Sequence, residues 1–202
     1  MAIDYPSAKS GVKLFYDRFA TRYESGQLAI PPEVYEFCNR LQRGAMVLDL
    51  GSGPGLNALA MMNAGIRPIC VDVSEEMCKL VRARSILALH ADMEALLLPF
   101  GTFDGVFARN SLLHLPRESM PAMLRKIHAA LRFGGLLFLS VKEGEGEEMK
   151  VTENGETFYS YWGLDELRQH IEAAGFLDVR VSRTASKDTF GERHYLCVFA
   201  KK

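Results

Sequence analysis

No pair of cysteines in this chain is spaced as a metal or redox motif. The four, Cys38, Cys70, Cys78 and Cys197, are scattered without a CxxC. That argues against a zinc site or a disulfide framework, and a reducing cytoplasm is the expected setting. Net charge is nearly absent: 24 Lys and Arg stand against 25 Asp and Glu, a formal charge of -1. No global basic field exists to gather nucleic acid or an anionic membrane. No apolar run approaches the roughly 18 residues that a membrane-spanning helix needs. The N-terminus, MAIDYPSAKSG, lacks the charged-then-apolar plan of a signal peptide. Internal repeats and low-complexity linkers are also missing. What is present is an ordinary globular composition, 48% hydrophobic and 24% charged, over 202 residues. That length is near the size of one domain, so residues 1–202 are expected to form a single unit.

The first 43 residues read as helical, with Val12, Phe15, Tyr16, Phe19 and Tyr23 on one face. Pro31-Pro32 starts a second helix carrying Val34, Phe37, Cys38 and Leu41. From there short strands alternate with helices. AMVLDL, RPICVDV, SILALHA, FDGVFA and LLFLSV read as five strands. Helices are expected from about Leu56 to Asn63, after the cap Ser74, from about Ser119 to Leu131, and through Leu164, Leu167 and Ile171 up to Gly175. DVRVS and HYLCVFA close the chain as two strands joined by about a dozen polar residues, too few for a helical crossover. The expected fold is α/β: a Rossmann-like three-layer sandwich. Its seven-stranded sheet is mostly parallel, with an antiparallel final strand.

Ligands in such folds sit beyond the carboxyl ends of the strands. The residues there are Gly51, Gly53 and Gly55 after the first strand and Asp72 after the second. Asp92-Met93 follows the third, and Arg109-Asn110-Ser111, then His114, follow the fourth. A carboxylate after the second strand can hold both ribose hydroxyls of an adenosine, and it would repel a 2′-phosphate. The NAD fingerprint GxGxxG would need a third glycine where Leu56 stands. The GxGxG spacing favours an adenosine cofactor without a pyrophosphate.

The ordered motifs VLDLGSGPG, ICVDVSEEM, HADMEALLLPF, FDGVFARNSLLHLP, ALRFGGLLFLSVKEG and LDELRQHIEAAGF resemble those of class I S-adenosylmethionine-dependent methyltransferases, in particular the small UbiE-like group. YDRFATRY is similar to the N-terminal helix that covers the cofactor in that group. The resemblance implies S-adenosyl-L-methionine as cofactor and S-adenosyl-L-homocysteine as product. It implies that Gly51, Ser52 and Gly53 approach the methionine part, and that Asp49 orients the turn and meets the ammonium. Asp72 would hold the ribose, Val73 and Met77 the adenine face. Asp92 and the Met93 backbone would bond the adenine edge, and backbone near Arg109 and Asn110 the ammonium. Tyr16 and Tyr23 either pack the helix or lie over the cofactor, Tyr16 near its carboxylate or sulfonium.

The implied reaction is methyl transfer to an O or N atom of a small molecule. His114 is the candidate catalytic base, or else a brace for its loop. Residues 143–162 form a long acidic segment ending in Phe158, Tyr159, Tyr161 and Trp162, read as a substrate lid or a solvated loop. Residues 1–43 are the expected cofactor cover. No metal, nucleic acid or membrane partner is expected, and the chain is expected to be a monomer or homodimer. Two alternatives stay open: a non-catalytic module that binds the cofactor or regulates a partner, and an NAD-dependent oxidoreductase.

Overall fold

The computed structural model describes residues 3–25, 29–152, 155–188 and 191–202, with side chains left out at 21–25, 186–188 and 191–192. Two helices open the chain, α1 (Tyr5–Ser25) and α2 (Pro32–Asn39). Then come β1 (Met46–Leu50), α3 (Leu56–Asn63), β2 (Arg67–Asp72), α4 (Glu75–Ala83), β3 (Leu87–His90), β4 (Phe103–Arg109), α5 (Met120–Ala130) and β5 (Leu131–Glu143). The remainder is β6 (Glu147–Thr152), β7 (Gly155–Trp162), α6 (Leu164–Ala173), β8 (Leu177–Asp188) and β9 (Gly191–Lys201).

Strands β3, β2, β1, β4 and β5 lie side by side in that order, all parallel. β9 runs antiparallel on the free side of β5, and β8 antiparallel on β9. These are the seven expected strands, with the antiparallel final strand. The period-two alternation of each strand divides its side chains between two layers. Leu48, Val106, Leu137 and Val198 face α5 and α6, packing with Leu124, Ile127, Leu167 and Ile171. Val47, Phe107, Phe138 and Phe199 face the other way, against Val34, Phe37 and Met61 of α2 and α3. On that side Phe37, Phe107, Phe138 and Phe199 form a continuous row, with successive ring centroids 5.2, 4.6 and 5.0 Å apart. Gly105 of β4 stays small because a Cβ there would lie 2.8 Å from the Phe37 ring.

Two segments differ from the sequence reading. Most of the polar stretch between the last two strands is itself strand: β8 runs to Asp188 and β9 starts at Gly191, paired antiparallel from Leu177–Lys201 to Asp188–Gly191. Within the acidic segment 143–162, residues 147–152 and 155–162 are likewise strands. β6 and β7 pair antiparallel, and β7 joins the parallel edge of β5 through Lys142–Tyr161 and Glu143–Trp162. β4 ends its pairing with β5 at Arg109–Ser140. β7 therefore takes over the edge of β5 just beyond the carboxyl end of β4. The hairpin stands directly above the strand ends where a ligand is expected.

α1 lies against this hairpin. Ala8 and Val12 pack on Phe158, with Tyr5 edge-on to the same ring at 5.5 Å. Gly11 permits the approach, since a Cβ there would sit 3.3 Å from the Glu156 carbonyl oxygen. Polar contacts fix the other side of α1. Asp17 accepts a 2.6 Å hydrogen bond from Ser74 Oγ, the cap of α4, and Lys9 pairs with Asp92 and Glu94.

The aromatic row gives a stability test. Phe138→Ala opens a void in a fully buried stack and is expected to cost about 3–5 kcal/mol. Urea unfolding measures it; an unchanged midpoint would show that the row is not a stabilising element.

Candidate active site

The turn after β1 holds three left-handed glycines, Gly51, Gly53 and Gly55, with φ of 71°, 53° and 78°. The Gly51 and Ser52 N–H groups both donate to the Val71 carbonyl of β2, at 2.7 and 3.1 Å. Each glycine meets a different neighbour. A Cβ on Gly51 would fall 2.3 Å from Ser111 Cβ, and Ser111 Oγ donates to the Leu50 carbonyl at 2.6 Å. A Cβ on Gly55 would press on Val81 of α4 at 2.9 Å. A Cβ on Gly53 would meet nothing within 4 Å. Gly51 and Gly55 are thus small because the protein packs on them. Gly53 alone faces open space that a ligand can use.

That space is a cavity of about 280 Å³. The glycine turn, Asp72 and Val73 form one wall, Met93, Arg109, Asn110 and Ser111 a second. Val12 and Tyr16 of α1, with Ile30 and Pro31 before α2, close it from above, and His114 stands at its end. Asn110 is held in the left-handed region at φ 54°, with its side-chain oxygen accepting from Ser140 Oγ at 2.7 Å.

Two carboxylates sit at the ends of β1 and β2. Asp49 is 1% exposed, and its Oδ2 has no hydrogen-bond partner among the described residues. Burial, with Asp72's charge nearby, pushes its carboxyl up to about 7. Asp72 accepts from the Gly53 N–H at 2.8 Å and the Ser74 N–H at 2.9 Å. Burial raises its pKa, while those two amides work in the opposite direction. Each oxygen of Asp72 has spent one lone pair on the backbone and keeps another for a ligand.

His114 is wedged between α1 and the hairpin. Its Nδ1 lies 2.7 Å from the Phe158 carbonyl oxygen and its Nε2 lies 2.8 Å from the Tyr16 hydroxyl. Burial, and then the charge of Lys142, lower its pKa to about 4 against the opposing Phe158 carbonyl. Lys142, itself buried, sits over the Tyr159 ring at 3.1 Å. A carbonyl only accepts, so Nδ1 carries the proton and Nε2 accepts from Tyr16. His114 reaches the cavity with both nitrogens engaged. It is bonded to Tyr16 and offers no lone pair directly to an acceptor, an arrangement closer to the brace than to the base of its two readings.

The structure brings Tyr16, Gly51, Ser52, Gly53, Asp72, Val73, Met93, Arg109, Asn110 and His114 to one cavity, with Asp49 buried beneath the turn. It does not bring Met77 or Asp92 into the lining. Met77 is fully buried in α4. Asp92 is turned toward Lys9 and caps the Glu94 N–H at 2.9 Å. The Tyr23 side chain lies outside the described residues. Asn57 and Lys142 carried no signal in the sequence, whereas Ser111 stood in the run read after β4 and Ile30-Pro31 fall inside the expected 1–43 cover. All four cysteines are free thiols, and no cluster of metal-ligating side chains occurs among the described residues.

Residues 47–135 match the family model described as a methyltransferase domain. The 27-O-demethylrifamycin SV methyltransferase of Amycolatopsis mediterranei (strain S699) is 30% identical over 151 residues, 67% of this chain and 55% of that protein. The 1,6-didemethyltoxoflavin-N1-methyltransferase of Burkholderia thailandensis was solved with 1,6-didemethyltoxoflavin and S-adenosylhomocysteine. It superposes with a TM-score of 0.75 at 24% identity, covering 100% of this chain and 91% of that one. The 4+2 cyclase SpnF superposes with a TM-score of 0.72 at 19% identity, over 94% of each chain. At these identities the structural likeness shows the fold. The chain spans about half the length of the curated relatives it matches. Fold and domain match together define a class I S-adenosylmethionine-dependent methyltransferase fold, with the methyltransferase domain in residues 47–135.

The two glycine readings separate by mutation. Gly51→Ala is expected to lower the ligand-free melting temperature by more than Gly53→Ala, because only the former clashes within the protein. Equal melting losses would contradict the assignment. For His114, ring NMR should show no titration midpoint between pH 5.5 and 8, since burial leaves it neutral until about pH 4. A midpoint near 6.5 would place the ring in water.

Proposed function

We propose that this chain transfers the methyl group of S-adenosyl-L-methionine to an O or N atom of a small-molecule acceptor. The observation that carries the reading is Asp49: a buried carboxylate with an unpartnered oxygen, under a glycine turn whose Gly53 opens on a cavity. An isolated buried carboxylate is costly. A ligand ammonium delivered over the turn would offset that cost.

The residues present suit this cofactor. Asp72 would take the ribose hydroxyls with its remaining lone pairs, and Val73 and Met93 would flank the adenine. Asn110 and Arg109 would meet the amino-acid end with their backbone. Asp92 would serve from behind Lys9, and Met77 as packing beneath α4. Bound there, S-adenosylmethionine supplies an electrophilic methyl on a positive sulfur. The chain contributes position and dryness: α1 and residues 29–31 cover the cavity, and His114, bonded to the Phe158 carbonyl of β7, stands at its end. His114 is a poor proton sink at neutral pH, given its burial and Lys142. The acceptor should therefore arrive with its lone pair available, as a ring nitrogen, a free amine or an ionised oxygen.

On this reading residues 1–202 act as one domain, 1–43 as the cofactor cover and 143–162 as the acceptor-side wall. A cavity of about 280 Å³ at the strand ends supports a small-molecule acceptor. Four buried free thiols support a cytoplasmic setting, with the protein a monomer or homodimer. Among the described residues no helix is long and apolar enough to cross a membrane. The fold shared with a 4+2 cyclase favours a second reading, in which the same pocket serves chemistry other than methyl transfer.

Calorimetric titration tests the first reading. S-adenosylhomocysteine should bind and NAD should not. Below the raised Asp49 pKa of about 7, binding must expel a proton. Affinity should therefore fall by up to about tenfold per pH unit below 7 and level off above it. Asp49→Asn should flatten that dependence. Tight NAD binding without S-adenosylhomocysteine binding would overturn the reading. Binding without methyl transfer from labelled cofactor to a metabolite pool would favour the second.

A further inference from the structure

We propose that the Arg109 guanidinium determines acceptor specificity, and that the acceptor carries a non-reacting carboxylate or phosphate which this group binds. The assignment rests on the methyltransferase reading and narrows its acceptor from any small molecule to an anionic one.

Arg109 is the last residue of β4 and lines the cavity. Its side chain shares a face with Phe107, which packs on the α2 side of the sheet. Register carries that face across the neighbouring strands: Arg109 pairs with Ser140 of β5, and Ser140 with Cys197 of β9. The guanidinium acts along this row. Burial raises the Cys197 thiol pKa, and the Arg109 charge opposes the rise. Asp49 is paired with Phe107 and so lies on the same face, yet it is shifted by burial and Asp72 and not by Arg109. The guanidinium thus leans over β5 toward β9, away from the carboxylate assigned to the cofactor ammonium.

Arg109 is half-buried, and its guanidinium makes no hydrogen bond or ion pair with any described residue. A cation partly withdrawn from water gains by pairing, and the planar fork of an arginine matches a carboxylate or phosphate. Cys197, its thiol pKa raised by burial, carries no charge to balance it. Glu33 of α2 is the nearby carboxylate. It accepts a weak 3.8 Å contact from the Cys197 thiol, and its Oε2 is without a partner. Lys142, two residues beyond Ser140 on the same face, adds a second positive charge that reaches His114 at the end of the cavity. Carboxylates therefore stand at the ends of β1 and β2 and cations at the ends of β4 and β5. The anion is a handle and not the attacking atom. In the transfer a bond forms from the acceptor to the methyl carbon while the carbon–sulfur bond breaks and its electron pair goes to sulfur. An anionic nucleophile loses its charge in that step, so a cation bound to it would favour the ground state and slow the reaction. A carboxylate or phosphate elsewhere on the acceptor keeps its charge throughout and fixes position.

The test is an NMR titration of the S-adenosylhomocysteine complex with benzoate and with benzamide, its neutral counterpart of similar shape. Wild type should prefer benzoate by about tenfold or more, and Arg109→Gln should level the two. Arg109→Lys, which keeps the charge and loses the fork, should retain part of the preference. S-adenosylhomocysteine should bind Arg109→Gln as it binds wild type, because only the backbone of residue 109 meets the cofactor. A loss of that affinity would give the guanidinium to the cofactor carboxylate and overturn the proposal. Equal affinity of wild type for the two probes, as for a guanidinium committed to Glu33, would also overturn it. So would a preference that survives Arg109→Gln. Should the variants not fold, labelled methyl transfer by wild type decides, using a metabolite extract split by charge. Label should enter the anionic fraction. Entry into the neutral or cationic fraction would overturn the proposal and leave the methyltransferase reading standing. Failure of wild type to bind S-adenosylhomocysteine would overturn both.

Discussion

Asp49 is the constraint around which the rest of the site is arranged. A carboxylate at the end of a central strand, walled off from water and close to a second carboxylate, is an expensive feature for a fold to carry. The Asp72 carboxylate is steadied by two backbone amides, one of them Gly53. Asp49 has no such relief at Oδ2 among the described residues. A buried carboxylate of this kind favours a positive group nearby, and the glycine turn above it leaves open space at Gly53.

Everything above the turn converges on the same space. β7 takes the edge of β5 that β4 vacates, which lifts a hairpin over the strand ends. α1 crosses that hairpin at Gly11 and is tied to the α4 cap through Asp17 and Ser74. The Phe158 carbonyl, His114 and Tyr16 then link hairpin, loop and helix in one hydrogen-bonded line. The hairpin and the helix that covers the cavity are therefore mechanically joined. Loss of the hairpin would loosen α1, and loss of α1 would expose the cavity.

Much of this was legible in the sequence wherever the signal is local. The helix read from about Leu56 to Asn63 spans those residues, and Ser74 caps α4 with its own hydroxyl. The parallel strands show as apolar runs because both of their faces are covered. The glycines, Asp72, Met93 and Asn110 were legible as strand-end residues, since topology alone sends them to the same side. The rest depends on partners distant in the chain. The acidic segment hid a hairpin because its exposed strand β6 alternates poorly and its charges read as solvent contacts. His114 stayed open between a base and a brace because nothing nearby names Tyr16 or the Phe158 carbonyl, 98 and 44 residues away. Asp92 looked available because its partner, Lys9, sits on α1, and the packing of Ser111 on Gly51 was hidden because the two are 60 positions apart.

A crystal structure with S-adenosylhomocysteine tests the central claim most directly. The expected complex has the ribose hydroxyls on Asp72 and the amino-acid end over Gly51 to Gly53. Its ammonium lies toward Asp49, directly or through one water. A ligand that left Asp49 unpartnered, or lay outside the cavity bounded by α1 and the glycine turn, would contradict it.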